Sequence, residues 1–215
     1  MSQNPFLQSF IKTLLNLHTF LGKVIDVVLI KTNDGLHPKH HLMRYYEFFL
    51  DHIGTESNIL DIGCGNGFVA SQIATKAKKV TGIDTDQANI EQAGRQHSRE
   101  NINYILGDAT RYDFQERYDA VVLSNVLEHI KDRVVFLNKV KQLSDTLLIR
   151  VPMVDRDWMP LYRKSLNMPY FCDSTHFSEY TFETFRDEMN KSGLQIDHCT
   201  IRFGEIWAVI KREQL

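Results

Sequence analysis

The chain of 215 residues carries 25 Lys and Arg against 27 Asp and Glu, a formal net charge of −2, which excludes the cation surplus that binding to a nucleic-acid backbone demands. Its 43% apolar and 24% charged residues exclude bulk disorder, and its length fits one domain with a full core. The three cysteines, Cys64, Cys172 and Cys199, are odd in number and lack metal-ligand spacing, which excludes a disulfide framework or zinc knuckle and fits a reducing, cytoplasmic setting.

From the N-terminus, Phe6, Phe10, Leu14, Leu17, Leu21, Val24 and Val28 recur at intervals of three and four and predict one apolar face of a helix over Phe6 to Ile30. Lys12, His18, Lys23 and Asp26 interrupt the stretch. Its longest unbroken apolar run, Val27 to Ile30, falls short of the ~20 residues of a spanning helix, so no transmembrane segment is expected. The helix is expected to pack on the domain or to join two copies in a homodimer, with binding to a membrane surface as the alternative. Asn33, Asp34 and Gly35 punctuate as a turn, and His37 to Ile53 reads as a second helix, completing a helical cover over residues 1–53.

Residues 54–215 then change pattern. Short β-rich runs, Asn58 to Ile62, Lys79 to Ile83, Ile102 to Leu106, Tyr118 to Leu123 and Thr146 to Val151, alternate with helix-length segments at Phe68 to Lys76, Asp86 to Arg99 and Lys131 to Leu143. Such alternation predicts a doubly wound α/β domain with a mostly parallel sheet. The alternation lapses over 153–180, where Pro160, Pro169 and several aromatics read as an inserted lid. Thr181 to Ser192 resumes as a helix with Thr181 as N-cap, and Leu194 to Arg202 and Ile206 to Arg212 form a closing antiparallel pair.

The most informative stretch is Ile59-Leu60-Asp61-Ile62-Gly63-Cys64-Gly65-Asn66-Gly67, where a buried strand ends in three alternating glycines and a helix begins. Glycines there let the backbone turn sharply and approach a ligand, and the helix N-terminus adds free amides. Asp84 ends the next strand, at the spacing of a ribose-binding carboxylate, and Asp108 ends the third; Asp86 reads instead as a helix N-cap. In open parallel sheets ligands bind at these strand ends. A dinucleotide loop reads G-x-G-x-x-G, whereas this one reads G-x-G-x-G behind an acid. Asp61 would repel a pyrophosphate and attract an ammonium, so the order favours S-adenosylmethionine, with its α-ammonium and sulfonium.

With Leu60-Asp61-Ile62-Gly63-Cys64-Gly65-Asn66-Gly67, Gly82-Ile83-Asp84, Gly107-Asp108-Ala109 and Tyr118-Asp119-Ala120-Val121-Val122 in order, the sequence resembles a class I S-adenosylmethionine-dependent methyltransferase over roughly Ile53 to Arg212. The resemblance implies a Rossmann-like seven-stranded sheet with an antiparallel last strand. It places Gly63 and Gly65 on the methionine part of the cofactor, Asp84 at the ribose, and Asp108 with Ala109 at adenine, with Thr85 as a further cofactor contact. Asn125 is a further cofactor contact, and Arg44 resembles an arginine that some relatives set on the cofactor carboxylate.

After the fourth strand, Ser124-Asn125-Val126-Leu127-Glu128-His129-Ile130 resembles the small-molecule branch that includes ubiquinone-biosynthesis O-methyltransferases. Some relatives bind a divalent metal there through Glu-x-x-Glu-His. Asn125 replaces the first of those ligands, so no metal is expected. His129 is the first candidate general base, and His176 in the lid is a second base or substrate contact; each is alternatively a structural histidine. The function expected is methyl transfer to oxygen or nitrogen of a small molecule such as a sugar, quinone precursor or secondary metabolite, without a nucleic-acid partner. A protein or RNA methyltransferase, or a noncatalytic cofactor-binding protein, is the alternative.

Overall fold

The computed structural model describes residues 4–33 and 35–212, so the turn residue Asp34 lies outside the described residues. In chain order the elements are α1 (Pro5–Thr32), α2 (Lys39–Met43), α3 (Tyr45–Asp51), β1 (Asn58–Ile62), α4 (Phe68–Ile73), β2 (Lys79–Asp84), α5 (Gln87–Gln96) and β3 (Ile102–Leu106). There follow β4 (Ala120–Ser124), a 3₁₀ turn (Leu127–His129), α6 (Arg133–Val140), β5 (Thr146–Pro152), α7 (Trp158–Ser165), α8 (Phe182–Lys191), β6 (Leu194–Arg202) and β7 (Glu205–Arg212).

The seven strands form one sheet in the order β3-β2-β1-β4-β5-β7-β6. Pairs from β3 across to β5 are parallel, and β7 runs antiparallel to both β5 and β6. The doubly wound sheet with its antiparallel member is thus present as the sequence predicts. The interior strands read Asn-Ile-Leu-Asp-Ile and Ala-Val-Val-Leu-Ser because a parallel sheet clad on both faces must be apolar on both. One core layer joins Leu60, Leu123 and Ile149 to Leu137 of α6 and Phe185 and Met189 of α8. The other joins Ile59, Val122 and Trp207 to Phe49 of α3 and Phe68 and Ile73 of α4. The strand order reverses between β1 and β4, which opens a crevice at their C-terminal ends. At the far edge, β6 skips a residue between Ile196 and His198, a bulge that leaves Asp197 out of the ladder.

Three local features depart from the sequence reading. The single helix expected over His37 to Ile53 is broken at Arg44, which adopts left-handed backbone (φ 48°) and starts α3 in a new direction, so that Tyr45, Phe48 and Phe49 are buried. Segment 153–180, expected as a lid, contains a helix, α7, that its two prolines conceal. Asp157 caps it by accepting from the Met159 N–H at 2.6 Å, and Pro160 sits in the first turn, where a missing N–H breaks no helical bond. The third is α1, of whose side chains Leu15 alone is classed as buried. Its best 18-residue window has mean hydropathy 1.5 with no more than two charged residues, so it is long and apolar enough to cross a membrane. Counting unbroken runs missed this, because the polar residues recur on one side of the helix rather than dividing it.

Candidate cofactor cradle and active site

β1 delivers Asp61 and the glycine loop to the crevice. The N–H groups of Gly63 and Cys64 both donate to the Ile83 carbonyl, at 2.8 and 3.1 Å, which folds the loop against the end of β2. Gly63 has φ 67°, and a Cβ there would lie 2.7 Å from Cγ2 of Val126; Gly65 has φ 53° with open space where its Cβ would be. The first position is therefore closed to side chains by the fold, and the second leaves room for something else to approach the backbone.

Asp61 is 1% exposed, and its Oδ2 has no hydrogen-bond partner. Burial, with the Asp84 charge nearby, pushes its carboxyl up to about 8. Asp84 accepts from the Gly65 N–H and the Asp86 N–H, each at 2.9 Å, and so ties the glycine loop to the start of α5, which Asp86 caps by accepting from Ala88 at 2.8 Å. Asp108 accepts from the Thr110 N–H and hydroxyl at 2.9 and 2.7 Å; the hydroxyl bond leads in holding its carboxyl below the ordinary range.

A cavity of about 910 Å³ is lined by Gly63, Asp84, Thr85, Asp108, Ala109, Asn125 and His129. A smaller one of about 180 Å³ shares Gly63 and Asn125 with it and is lined further by Asp61, Tyr45 and Arg150. Asn125, in left-handed backbone (φ 58°), forms the common wall, with a buried Oδ1 that has no partner. The structure therefore brings together Asp61, Gly63, Asp84, Thr85, Asp108, Ala109, Asn125 and His129, with Gly65 held beside them by its bond to Asp84.

Arg44 is not brought in. It pairs with Glu47 and lines a separate groove with Phe48, His52 and His198, because the break at its own backbone turns it outward. Arg150 instead lines the smaller cavity with Asp61; 4% exposed, it donates to both Glu205 oxygens at 2.6 and 3.0 Å and lies 3.7 Å from the Tyr45 ring centre.

The two histidines meet, with ring centres 4.6 Å apart and planes at 82°. Lid residue Phe177 donates its N–H to the Glu128 carbonyl at 2.8 Å, which lays the segment after Asp173 across the 3₁₀ turn. His176 Nδ1 lies 3.0 Å from Glu179 Oε1. Burial would raise the Glu179 carboxyl, but bonds from His176 and Cys172 together with the Arg156 guanidinium at 2.5 Å hold it below its ordinary value, so it is an acceptor and His176 Nδ1 carries the proton. His129 Nδ1 lies 3.0 Å from Thr175 Oγ1, whose own hydrogen goes to Asp173 Oδ1 at 2.7 Å. The Thr175 oxygen then accepts from His129 Nδ1–H. Each ring is left with Nε2 as its basic nitrogen. Burial, then the neighbouring His176, lowers the pKa of His129, which keeps the ring neutral at pH 7.

Beneath them Glu128 is fully buried with neither carboxylate oxygen partnered, and burial pushes it up to about 7. One ligand atom each from Glu128, His129 and His176 falls within 4.8 Å of the others, as does a set from Cys172, His176 and Glu179. Among the described residues these two groups have the geometry to hold a metal ion; in the second, Glu179 is already neutralised by Arg156. Sequence reasoning noted Glu128 only within its motif and assigned no role to Thr175 or Glu179. The Val-Leu-Glu-His segment signalled the first, but nothing local marks the other two as the groups that orient the histidines.

Known proteins share the family and the fold. A profile described as a methyltransferase domain matches residues 36–199. Over 102 residues the chain is 35% identical to the ubiquinone biosynthesis O-methyltransferase of Rickettsia conorii, a match covering 46% of this chain and 35% of that protein. Over 97 residues it is 34% identical to the (S)-tetrahydroprotoberberine N-methyltransferase of Eschscholzia californica, covering 42% and 28%. The chain thus spans about a third of the length of these curated relatives. Among solved structures, N-methyltransferase NodS from Bradyrhizobium japonicum with S-adenosylhomocysteine superposes with a TM-score of 0.62 at 15% identity, covering 82% of this chain and 87% of that one. Magnesium protoporphyrin IX methyltransferase from Synechocystis, also with S-adenosylhomocysteine, gives 0.64 at 16%, covering 81% and 83%. These two share the fold. The profile match takes in the glycine loop, all three strand-end aspartates and both histidines, and the chain belongs to the class I S-adenosylmethionine-dependent methyltransferases.

Proposed function

We propose that the chain transfers a methyl group from S-adenosylmethionine to an oxygen or nitrogen of a small-molecule acceptor. The observation that carries the reading is Asp61, a buried acid with an unpartnered oxygen that lines a pocket together with Gly63. A buried acid so placed costs stability unless a cation reaches it, and the α-ammonium of the cofactor is such a cation. Asp84 retains lone pairs for ribose hydroxyls, and Asp108 and Ala109 line the far part of the larger cavity, where adenine fits.

When bound, the cofactor supplies a methyl group made electrophilic by its sulfonium. What the chain must add is alignment and, for a protonated nucleophile, a base. His129 Nε2, at the wall of the same cavity, takes that proton, while Thr175 and Asp173 hold the ring in the required tautomer. His176 stands as the second base or as an acceptor contact. The relatives' names include both an O- and an N-methyltransferase, which supports the small-molecule class without choosing the atom.

Calorimetry with S-adenosylhomocysteine tests the cofactor assignment: binding is expected for the native chain and loss of at least tenfold (~1.4 kcal/mol) for Gly65→Asp, which sets a carboxylate in the approach to the loop. No heat with either protein overturns it. With an acceptor in hand, His129→Ala is expected to lower kcat by ~10²–10⁴ while leaving homocysteine-product affinity unchanged. Turnover is expected to survive a chelator. Loss of turnover restored by a divalent ion would instead reassign Glu128, His129 and His176 as ligands.

A further inference from the structure

α1 has two faces that do different things. Its docked edge carries Leu15, buried, and Thr19; Arg163 of the lid helix donates to the Leu15 carbonyl and to Thr19 Oγ1 at 2.5 Å. Further along, Asp26 meets His37 at 3.2 Å. At 100° per residue the exposed apolar side chains other than Ile30 lie away from that edge, on an arc about 160° wide that includes Phe6, Phe10, Leu17, Leu21, Val24 and Val28. Each of these six is at least 42% exposed, and the stripe runs the length of a helix about 42 Å long. Lys12 and Lys23 lie between the docked edge and the apolar arc, and Lys31 falls within the arc at the last turn of the helix; the three lysines stand against one acid, Asp26, which His37 already faces.

We propose that α1 is a membrane-surface helix, lying flat on an anionic lipid bilayer with its apolar arc in the headgroup and acyl boundary. The width of the arc selects this occupant over a second copy: one partner helix covers a narrow seam of two positions per seven, not nearly half the circumference. The docked edge selects a surface position over a spanning one. Immersion would take Asn16, Lys23 and Asp26 into hydrocarbon and break the contacts to Arg163 and His37. The excess of lysine matches an anionic headgroup layer. Through Arg163 the lid is fixed to the same helix, so the membrane and the lid meet the protein at one element.

The test is flotation of the full chain with preformed vesicles of phosphatidylcholine, with and without phosphatidylserine. Binding is expected with the anionic vesicles, weakened by salt and by Lys12→Gln with Lys23→Gln. Phe10→Ser with Leu17→Ser and Leu21→Ser is expected to reduce binding by at least about tenfold, while S-adenosylhomocysteine affinity and the far-ultraviolet spectrum, which report on folding, stay unchanged. Equal flotation of that variant, or no binding by the native chain, overturns the proposal. So does a dimer in light scattering that these serines dissolve without any vesicle binding. Resistance of cell-made protein to alkaline carbonate extraction would overturn it in favour of a spanning helix.

Discussion

Asp61, the proposed partner of the cofactor ammonium, is held at the expense of the fold. Its carboxyl is raised from an ordinary 3.8 to about 8, so the native state binds a proton that the unfolded chain has released across that interval. Stability linked to this group is therefore full below the unfolded value and is lost as pH rises toward 8. Asp61→Asn is expected to melt close to the native protein at pH 4 and increasingly above it toward pH 8, read by calorimetric scans across that range. The same substitution is expected to weaken cofactor binding by tenfold or more (~1.4 kcal/mol), since the amide cannot pair with an ammonium. Gly63→Ala meets both a positive φ and Val126 Cγ2 at 2.7 Å; it is expected to cost about 1–3 kcal/mol in chemical denaturation. Asp61 and Gly63 were legible in the sequence because one short run carries their spacing, and Asp84 because it ends the next strand. Thr175 and Glu179 were not, since what each does depends on a ring that tertiary structure brings to it.

The elements differ in how far local pattern decided them. The strands were plain because burial on both faces leaves long runs of Ile, Leu and Val. The break at Arg44 was hidden, for nothing in Leu-Met-Arg-Tyr-Tyr forces left-handed backbone; burial of Tyr45, Phe48 and Phe49 selects it. α7 was hidden because Pro160 reads as a breaker until its place in the first turn is known. That helix is held to α1 by Arg163, whose guanidinium also donates to the Pro169 carbonyl at 3.2 Å. Arg163→Met is expected to lower stability by about 1–3 kcal/mol, the range for hydrogen bonds to a charged group, and to expose the segment after α7 to limited proteolysis. His129, whose partner Thr175 lies in that lid, ties the chemistry to the same element. Because the pKa of His129 is lowered, the rate at saturating cofactor is expected to climb with pH through a point below 6.5 and to be level at pH 7, a profile that stopped-flow or discontinuous assays resolve.

At the scale of the whole molecule, the near-zero net charge conceals an uneven distribution. Acids gather at the ends of β1 and β2, while α1 holds a lysine surplus away from them. The core does not depend on that helix, of whose side chains only Leu15 is classed as buried. Removing residues 1–32 is expected to leave S-adenosylhomocysteine affinity within about threefold (~0.65 kcal/mol) and a single cooperative thermal transition, both measured on the shortened chain. The fold class followed from the alternation of runs, whereas the strand order came from the structure and the placement of α1 required knowing which side its polar residues share.

The skipped residue in β6 has a consequence of its own. A sheet with an open outer strand is a template on which other chains can add, and concentrated protein then grows by edge pairing. Here the outer strand loses its regular spacing at Asp197, sets a charge at the irregularity and twists locally. The bulge is thus a guard against fibrous self-assembly, standing on the side of the sheet opposite to β3, whose five residues make the other edge too short to extend.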